Sequence, residues 1–159
     1  MTDRHVFSKW LNPVTTVGNH EVTVTTGNGY GSTNTKIRRF TTTLTSAGTA
    51  ITYADSAANG ASFTINETGL YAMCLVDGLT VGDTRVGISI NSTELTTDIQ
   101  SIASANIVAW SHATAASSES VGRTMRLVAT DVVRVHTQGA ANSNATAQTS
   151  RFSISKVSA

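Results

Sequence analysis

Residues that could carry chemistry are few in this sequence and stand far apart. A nucleophilic or acid–base site needs a nucleophile and a base in contact, usually with a third group that orients the base. The one cysteine, Cys74, lies between Met73 and Leu75, which predicts a small buried side chain rather than a reactive thiol. The histidines, which lack the close spacing of paired metal ligands, are His5, His20, His112 and His136. We therefore expect no catalytic residue, no metal, no cofactor and no enzymatic activity.

A glycine-rich stretch, residues 27–31, has the composition of a phosphate-binding loop. A phosphate site of that kind needs the N-terminus of a helix directly after the loop and a lysine at a fixed offset. No helical pattern follows the stretch, and Lys36 is misplaced for that role. We interpret these residues instead as a flexible part of an N-terminal arm.

Composition and charge exclude several classes of partner. The chain has 159 residues, of which 13% are charged, and a net charge of +1. A nucleic-acid-binding domain usually shows a basic stripe and a high pI, so we expect no nucleic acid partner. No apolar stretch approaches the length of a membrane span, and no apolar run follows the first residues. We therefore expect neither a membrane partner nor a signal peptide.

Hydrophobic alternation predicts the elements that would position any site. From Lys36 onward, apolar and polar residues alternate over short runs separated by turn residues, which is typical of an all-β sandwich or barrel with about eight to ten strands. Asn59 and Gly60 predict a tight hairpin turn between two of them. Residues 70–76 are apolar on both faces of the predicted strand. Residues 92–104 fit a capped helix or an irregular segment, and we favour strand or loop.

The first 35 residues differ from the rest and predict an extended N-terminal arm, which leaves residues 36–159 as the folded domain. The arm contains isolated large apolar residues that cannot build a core of their own. We expect them to pack against the domain or against a partner chain, because burying a large apolar side chain lowers the free energy substantially. These candidate anchors are Phe7, Trp10, Leu11 and Val14. One strand is expected inside the arm, over residues 21–25.

A short basic run follows the arm and contains Lys36, Arg38 and Arg39. It could bind an acidic surface on another subunit. It could also be an ordinary solvated strand edge, where basic side chains discourage edge-to-edge aggregation. Both interpretations place these three side chains at the surface.

Three segments, taken in order, resemble one known family. They are residues 63–71 with Gly69 and Tyr71, residues 127–135 with Asp131, and residues 151–157 with Phe152. They resemble the trimeric jelly-roll family of tumour necrosis factor and the complement globular head. That family pairs a Gly-x-Tyr strand with a later Leu-x-x-Gly-Asp-x-Val turn and a Phe-rich last strand. In this sequence Ala129 and Thr130 stand where the turn of the family has its glycine.

The resemblance implies a jelly-roll β-sandwich that assembles as a homotrimer through aromatic and aliphatic faces. The two-sided apolar strand would then lie near the three-fold axis. We expect its residues Tyr71, Met73 and Leu75 at the trimer interface.

Members of that family that are rich in Ser, Thr, Ala, Asn and Gly and lack a signal sequence resemble bacteriophage virion proteins. The expected function is a capsid decoration or cement protein that assembles in the host cytoplasm and binds the major capsid protein or another virion protein. The alternative is a receptor-binding tip of a tail or head fibre that recognises a host surface glycan. Tyr53 and Trp110 are rings on which a sugar could stack, but no sequence pattern places them together.

Overall fold

The computed structural model describes residues 18–23, 29–80, 82–138 and 150–158. Over these residues the chain forms ten β-strands and two single-turn 3₁₀ helices. The strands are β1 Gly18–Thr23, β2 Thr42–Gly48, β3 Ile51–Ser56, β4 Gly60–Ile65, β5 Gly69–Gly78, β6 Thr84–Ile90, β7 Ile107–Ala113, β8 Ser118–Leu127, β9 Val132–Thr137 and β10 Arg151–Ser158. Neither helical turn is long or apolar enough to cross a membrane.

The strands pair antiparallel in two five-stranded sheets that enclose one core. Sheet I has the order β2-β1-β10-β5-β8, and sheet II has the order β3-β4-β9-β6-β7. Neighbours in sheet I come from opposite ends of the sequence, so its pairings are mostly long-range. The all-β jelly-roll sandwich predicted from the sequence is confirmed.

The core lies between the sheets because each strand turns its larger apolar side chains inward. Phe63 on β4 and Phe152 on β10 meet between the sheets with ring centroids 4.8 Å apart, and Tyr53 on β3 lies 4.9 Å from Phe63. Full burial of each such ring stabilises the fold by about 1.5–3 kcal/mol. The contact between Phe63 and Phe152 joins the two sheets, and the one between Tyr53 and Phe63 lies within sheet II.

Two turns show where backbone conformation limits the sequence. Gly60 has a φ of +74°, and a Cβ there would lie 2.7 Å from Cγ2 of Ile37, so the predicted Asn59-Gly60 hairpin turn is confirmed. Thr130, between β8 and β9, has a φ of +80°. Its neighbour Asp131 accepts a hydrogen bond from the backbone N–H of Val128 at 2.8 Å, which holds this strained turn closed.

The segment between β6 and β7 is a loop, as favoured from the sequence. It contains the two 3₁₀ turns, Ile99–Ser101 and Ser104–Asn106, and folds over the outer face of sheet II. Ile99 and Ile102 are buried beneath it. Glu94 accepts a hydrogen bond from the backbone N–H of Ala103 at 2.8 Å, so its carboxylate closes the loop and does not cap a helix.

The domain begins earlier in the chain than the predicted boundary at residue 36. β1 pairs with both β2 and β10 inside sheet I, which makes it part of the sandwich and not of an arm. Tyr30 is also buried and forms a β-bridge with Arg38. The sequence pattern had separated these residues because the turn-rich stretch between them masks their alternation. The four predicted arm anchors, Phe7, Trp10, Leu11 and Val14, lie outside the described residues and stay a prediction.

Candidate functional site

The residues predicted at the trimer interface lie inside the core of the protein. Tyr71, Met73 and Leu75 point between the sheets and are almost completely buried. Because successive strand residues point to opposite faces, the outer side of β5 carries their even-numbered neighbours instead. Side chains buried in the core of one subunit cannot supply the contact surface expected of these three residues. When both sides of a strand are apolar, polarity does not show which side faces the core.

The outer face of sheet I is flat and built from small uncharged side chains. We use this name for the outward residues on three of its five strands, β5, β8 and β10, which are Leu70, Ala72, Cys74, Val76, Ser120, Gly122, Thr124, Ser153 and Ser155. Strand pairing aligns them in rows: Cys74 stands between Gly122 and Ser153, and Ala72 stands between Thr124 and Ser155. Such rows leave a surface with little relief, which another flat surface can approach closely.

Charged groups lie around this face and not within it. Arg126 pairs with Leu70 at one end, and Arg151 pairs with Val76 at the other. Arg151 lies 3.6 Å from Glu21 of β1, so one positive charge is partly balanced by its neighbour. The centre of the face is therefore neutral, and its rim carries both signs of charge.

Cys74 is exposed at the middle of this face, so the expectation of a buried cysteine is wrong. The same alternation explains the error, because Cys74 lies between two inward residues of β5. A thiol at the centre of a flat surface is a direct reporter of whether anything covers that surface. The signal that could have found this face is side-chain size: the odd-numbered residues of the strand are large and the even-numbered ones are mostly small.

The basic run does not form an attachment patch. Arg38 is fully buried, and its guanidinium donates to Asp77 at 2.9 Å and to Ser150 at 2.6 Å. A charged pair out of water is tolerated only when hydrogen bonds such as these support it. Lys36 lies 2.7 Å from Asp98, and Arg39 lies 2.8 Å from Asp55.

These contacts mean that each cation of the basic run is used within the domain. The hydrogen bonds to Asp55 raise the pKa of the Arg39 guanidinium further above its ordinary value. The surface placement expected for Arg38 is wrong, because its acidic partner lies 39 residues away in the sequence.

Other candidate residues are also kept apart by the fold. His20 is buried in β1, His136 is buried in β9, and His112 is exposed on β7, where it lies 2.8 Å from Asp83. His5 lies outside the described residues. In the described part of the chain, no three histidine, cysteine or acidic side chains come together in a group that could hold a metal ion. The absence of an active site stays a prediction.

The glycine-rich stretch is described only from Gly29 onward, and there it packs tightly. A Cβ at Gly29 would lie 2.2 Å from Nη1 of Arg38, and a Cβ at Gly31 would lie 2.5 Å from the carbonyl oxygen of Ala58. These two glycines allow close approach of the backbone to the domain. The described end of the stretch is therefore packed and not a flexible arm.

The two antiparallel sheets form a jelly-roll fold like that of tumour necrosis factor, as similar solved structures show. Murine APRIL has a similar solved structure, with a TM-score of 0.64 and 12% sequence identity over 89% of this chain and 99% of that one. GITRL from bushbaby is similar with a TM-score of 0.55 and 10% identity, over 89% of this chain and 95% of that one. No protein-family model and no curated protein sequence matches the chain. The resemblance predicted from the sequence is thus confirmed for the fold.

Proposed function

We propose that this chain is a structural protein of a virus particle, of the capsid decoration type, and that it assembles as a homotrimer through the outer face of sheet I. The observation that carries the proposal is the neutral, flat surface formed by small residues across three strands. Leu70 is an exposed apolar side chain of this surface, and Val157 on β10 adds another beside it. Burial of apolar groups is favourable, and small uncharged groups have a low desolvation cost, so covering this surface favours association.

A second copy of the same chain is the occupant that this face fits best. A face of one charge sign would repel its own copy, whereas a neutral centre does not. The rim carries Arg126, Arg151 and Glu21, and acidic and basic groups of neighbouring copies can pair there. In a closed ring of three identical subunits, each copy of this surface would be covered by a neighbouring subunit.

Attachment to the particle is assigned to the N-terminal segment, residues 1–17. Its apolar residues Phe7, Trp10, Leu11 and Val14 would insert between or against capsid subunits. Three such segments on one trimer make the second and third contacts intramolecular, so weak individual contacts add up to firm attachment. The described domain would then act as the clamp that joins the three segments.

Self-association is tested by light scattering on the purified protein and by the rate of maleimide reaction at Cys74. We expect a trimer at micromolar concentration, with Cys74 protected in the trimer and reactive on dilution. Ala72→Arg places a charge at the centre of the face and should give a folded monomer with reactive Cys74. Ala105→Arg, at an exposed site on the opposite side of the sandwich, is the matched control and should remain a trimer. A monomer at all these concentrations overturns the homotrimer.

The location is tested by immunogold electron microscopy of virus particles released from cells that express the gene. Gold over the head surface supports a decoration protein. Gold confined to fibre tips contradicts it and supports the receptor-binding alternative, and gold absent from particles overturns both. Deleting residues 1–16 keeps β1 intact, so this variant should form trimers that no longer bind heads.

A further inference from the structure

A pocket of about 430 Å³ opens between β2 and β3 at one edge of the sandwich, and the proposed trimer does not use it. Its lining includes His20, Thr43, Ser46, Thr52, Tyr53 and Asn66. The volume is within the usual range for small-molecule sites. The pocket therefore has room for one or two sugar rings.

The chemistry of the lining selects a neutral, hydroxyl-bearing ligand. The residues that line the pocket in the described part of the chain carry hydroxyls, an amide, an imidazole and apolar groups, with no carboxylate, ammonium or guanidinium. A charged ligand would find no counter-ion there, whereas a ligand with several hydroxyls finds both donors and acceptors. Asn66 donates to the carbonyl oxygen of Thr49 at 2.6 Å and to the hydroxyl of Thr52 at 2.9 Å, so this part of the wall is fixed in place.

His20 supplies a hydrogen-bonding group that the described protein does not satisfy. Its side chain is buried, with a relative exposure of 5%, and Nε2 lies 3.2 Å from the carbonyl oxygen of Ile51. Because a carbonyl oxygen only accepts, Nε2 carries the hydrogen, and Nδ1 of the neutral ring is left as an acceptor. Nδ1 is buried and has no hydrogen-bond partner in the described part of the chain. An unsatisfied buried acceptor of this kind destabilises the folded protein, and a hydrogen-bond donor on a ligand would remove that cost.

Tyr53 gives the same pocket an apolar wall. Its hydroxyl donates to the carbonyl oxygen of Phe40, and its ring centroid lies 6.3 Å from that of His20. Burial raises the pKa of the Tyr53 hydroxyl, so the group keeps its proton and this bond at physiological pH. The hydroxyl is therefore engaged, while the ring remains available for contact with the C–H face of a sugar.

We propose that this pocket binds one unit of a neutral saccharide, and that the His20 ring turns on binding so that its buried Nδ1 accepts a hydrogen bond from a sugar hydroxyl. This inference stands independently of the trimer, because no residue named for the pocket belongs to the outer face of sheet I. It gives a decoration protein a means to hold the particle at a glycan-coated cell surface.

The experiment is NMR titration of the full chain with glucose, galactose, mannose and N-acetylglucosamine in turn. At least one sugar should shift the pocket resonances saturably, with a Kd of about 1 mM or weaker, as expected for one sugar ring. His20→Phe keeps an aromatic ring and removes the acceptor, and it should weaken binding about tenfold. His112→Phe, at a histidine outside the pocket, is the control and should bind normally. Thr52→Val, at an exposed position, tests the pocket without disturbing the buried ring and should also weaken binding.

Two outcomes overturn the proposal. The first is the lack of saturable shifts at the pocket with all four sugars. The second is binding that neither His20→Phe nor Thr52→Val reduces. The chain lacking residues 1–16 is titrated in parallel, because the segment before Gly18 could itself fill the pocket. Sugar binding only after that deletion would show that the pocket of the full chain holds its own N-terminal segment and not a saccharide.

Discussion

The outer faces of the two sheets differ in how far the chain itself covers them. Part of the outer face of sheet II is covered by the chain itself: the loop between β6 and β7 lies over Gly87 and His136 and buries Ile99, while Trp110 on β7 stays 44% exposed. The outer face of sheet I has no comparable cover in the described part of the chain and presents small neutral side chains. The difference indicates which face is built for the interior of one subunit and which is available to a second subunit.

Polar groups on the covered face are paired with the loop that covers them. His136 bonds to the carbonyl oxygen of Thr97 at 2.7 Å and to the hydroxyl of Ser89 at 3.3 Å. Gly87 lets the loop approach, since a Cβ there would lie 2.9 Å from Cγ1 of Ile99. The cover is therefore specific and hydrogen-bonded.

The largest effect is expected from Ile99→Ala, which empties the space beneath the loop. Loss of a fully buried Ile side chain costs about 2–5 kcal/mol of unfolding free energy. Leu70→Ala, at a residue that is 36% exposed on sheet I, should cost less than about 1 kcal/mol in the monomer. Urea denaturation at concentrations that keep the chain monomeric measures both. Equal losses would mean that the two faces do not differ as described.

A pH effect is expected on the covered face. The pKa of His136 is lowered, and burial is the largest cause. The positive charge of Arg134 lowers it further. The carbonyl oxygen of Thr97 and the carboxylates of Asp98 and Glu94 act in the opposite direction and raise it. Because the folded pKa lies below the ordinary value of about 6.5, the unfolded chain takes up the proton first as pH falls. The contribution to stability is therefore complete above about pH 6.5 and is lost as pH falls from there through the folded pKa.

The measurement is the midpoint of urea denaturation in steps from pH 7.5 to pH 5. His136→Gln should lose about 1–3 kcal/mol at pH 7.5, from the altered hydrogen bonds, and should show a smaller further loss on acidification. Unchanged acid sensitivity in the variant would contradict the role of His136.

A stabilising change is expected at the turn that joins β8 of sheet I to β9 of sheet II. Thr130 has a β-branched side chain at a φ of +80°, where glycine has no steric cost. Thr130→Gly should raise the free energy of unfolding by about 1 kcal/mol, in spite of the greater entropy of glycine in the unfolded chain. Thermal denaturation compares it with Thr96→Gly, at an exposed turn residue without a positive φ, which should not stabilise. A loss of stability in Thr130→Gly would show that the side chain makes contacts that outweigh the strain.

The smallest effect on folding is expected from Cys74→Ser at the centre of the outer face of sheet I. The side chain is exposed, so the free energy of unfolding of the monomer should change by less than about 0.5 kcal/mol. A larger loss in urea denaturation would show that Cys74 packs within the subunit after all. The variant also serves as the blank for the maleimide measurement of self-association.

Much of the fold could be predicted because its signals are local. Asn59 and Gly60 form the expected hairpin turn, and the alternation that begins after Lys36 gave strands such as β6, with Val86 and Ile88 inward. Local patterns also gave the loop character of residues 92–104, since a single capping pair does not make a helix without a continuous apolar stripe.

The site could not be predicted in the same way because it depends on contacts between distant residues. The face of β5 that meets the core is decided by the opposite sheet, which the alternation of one strand does not contain. Arg38 was assigned to the surface because its partners Asp77 and Ser150 come much later in the chain. The pocket is lined by His20 of β1, by residues of β2 and β3, and by Asn66. No short sequence motif shows that these residues lie close together.

The position of β10 has a consequence for how the protein is made. This strand is the last one described and lies third of five in sheet I, between β1 and β5. Ser155 of β10 bonds to Asn19 of β1 across 136 residues of sequence. While the chain is still on the ribosome, β1 and β5 have a gap between them that only residues 151–158 can fill. Sheet I therefore closes after synthesis has passed residue 158, and until then its exposed strand edges need protection from other chains.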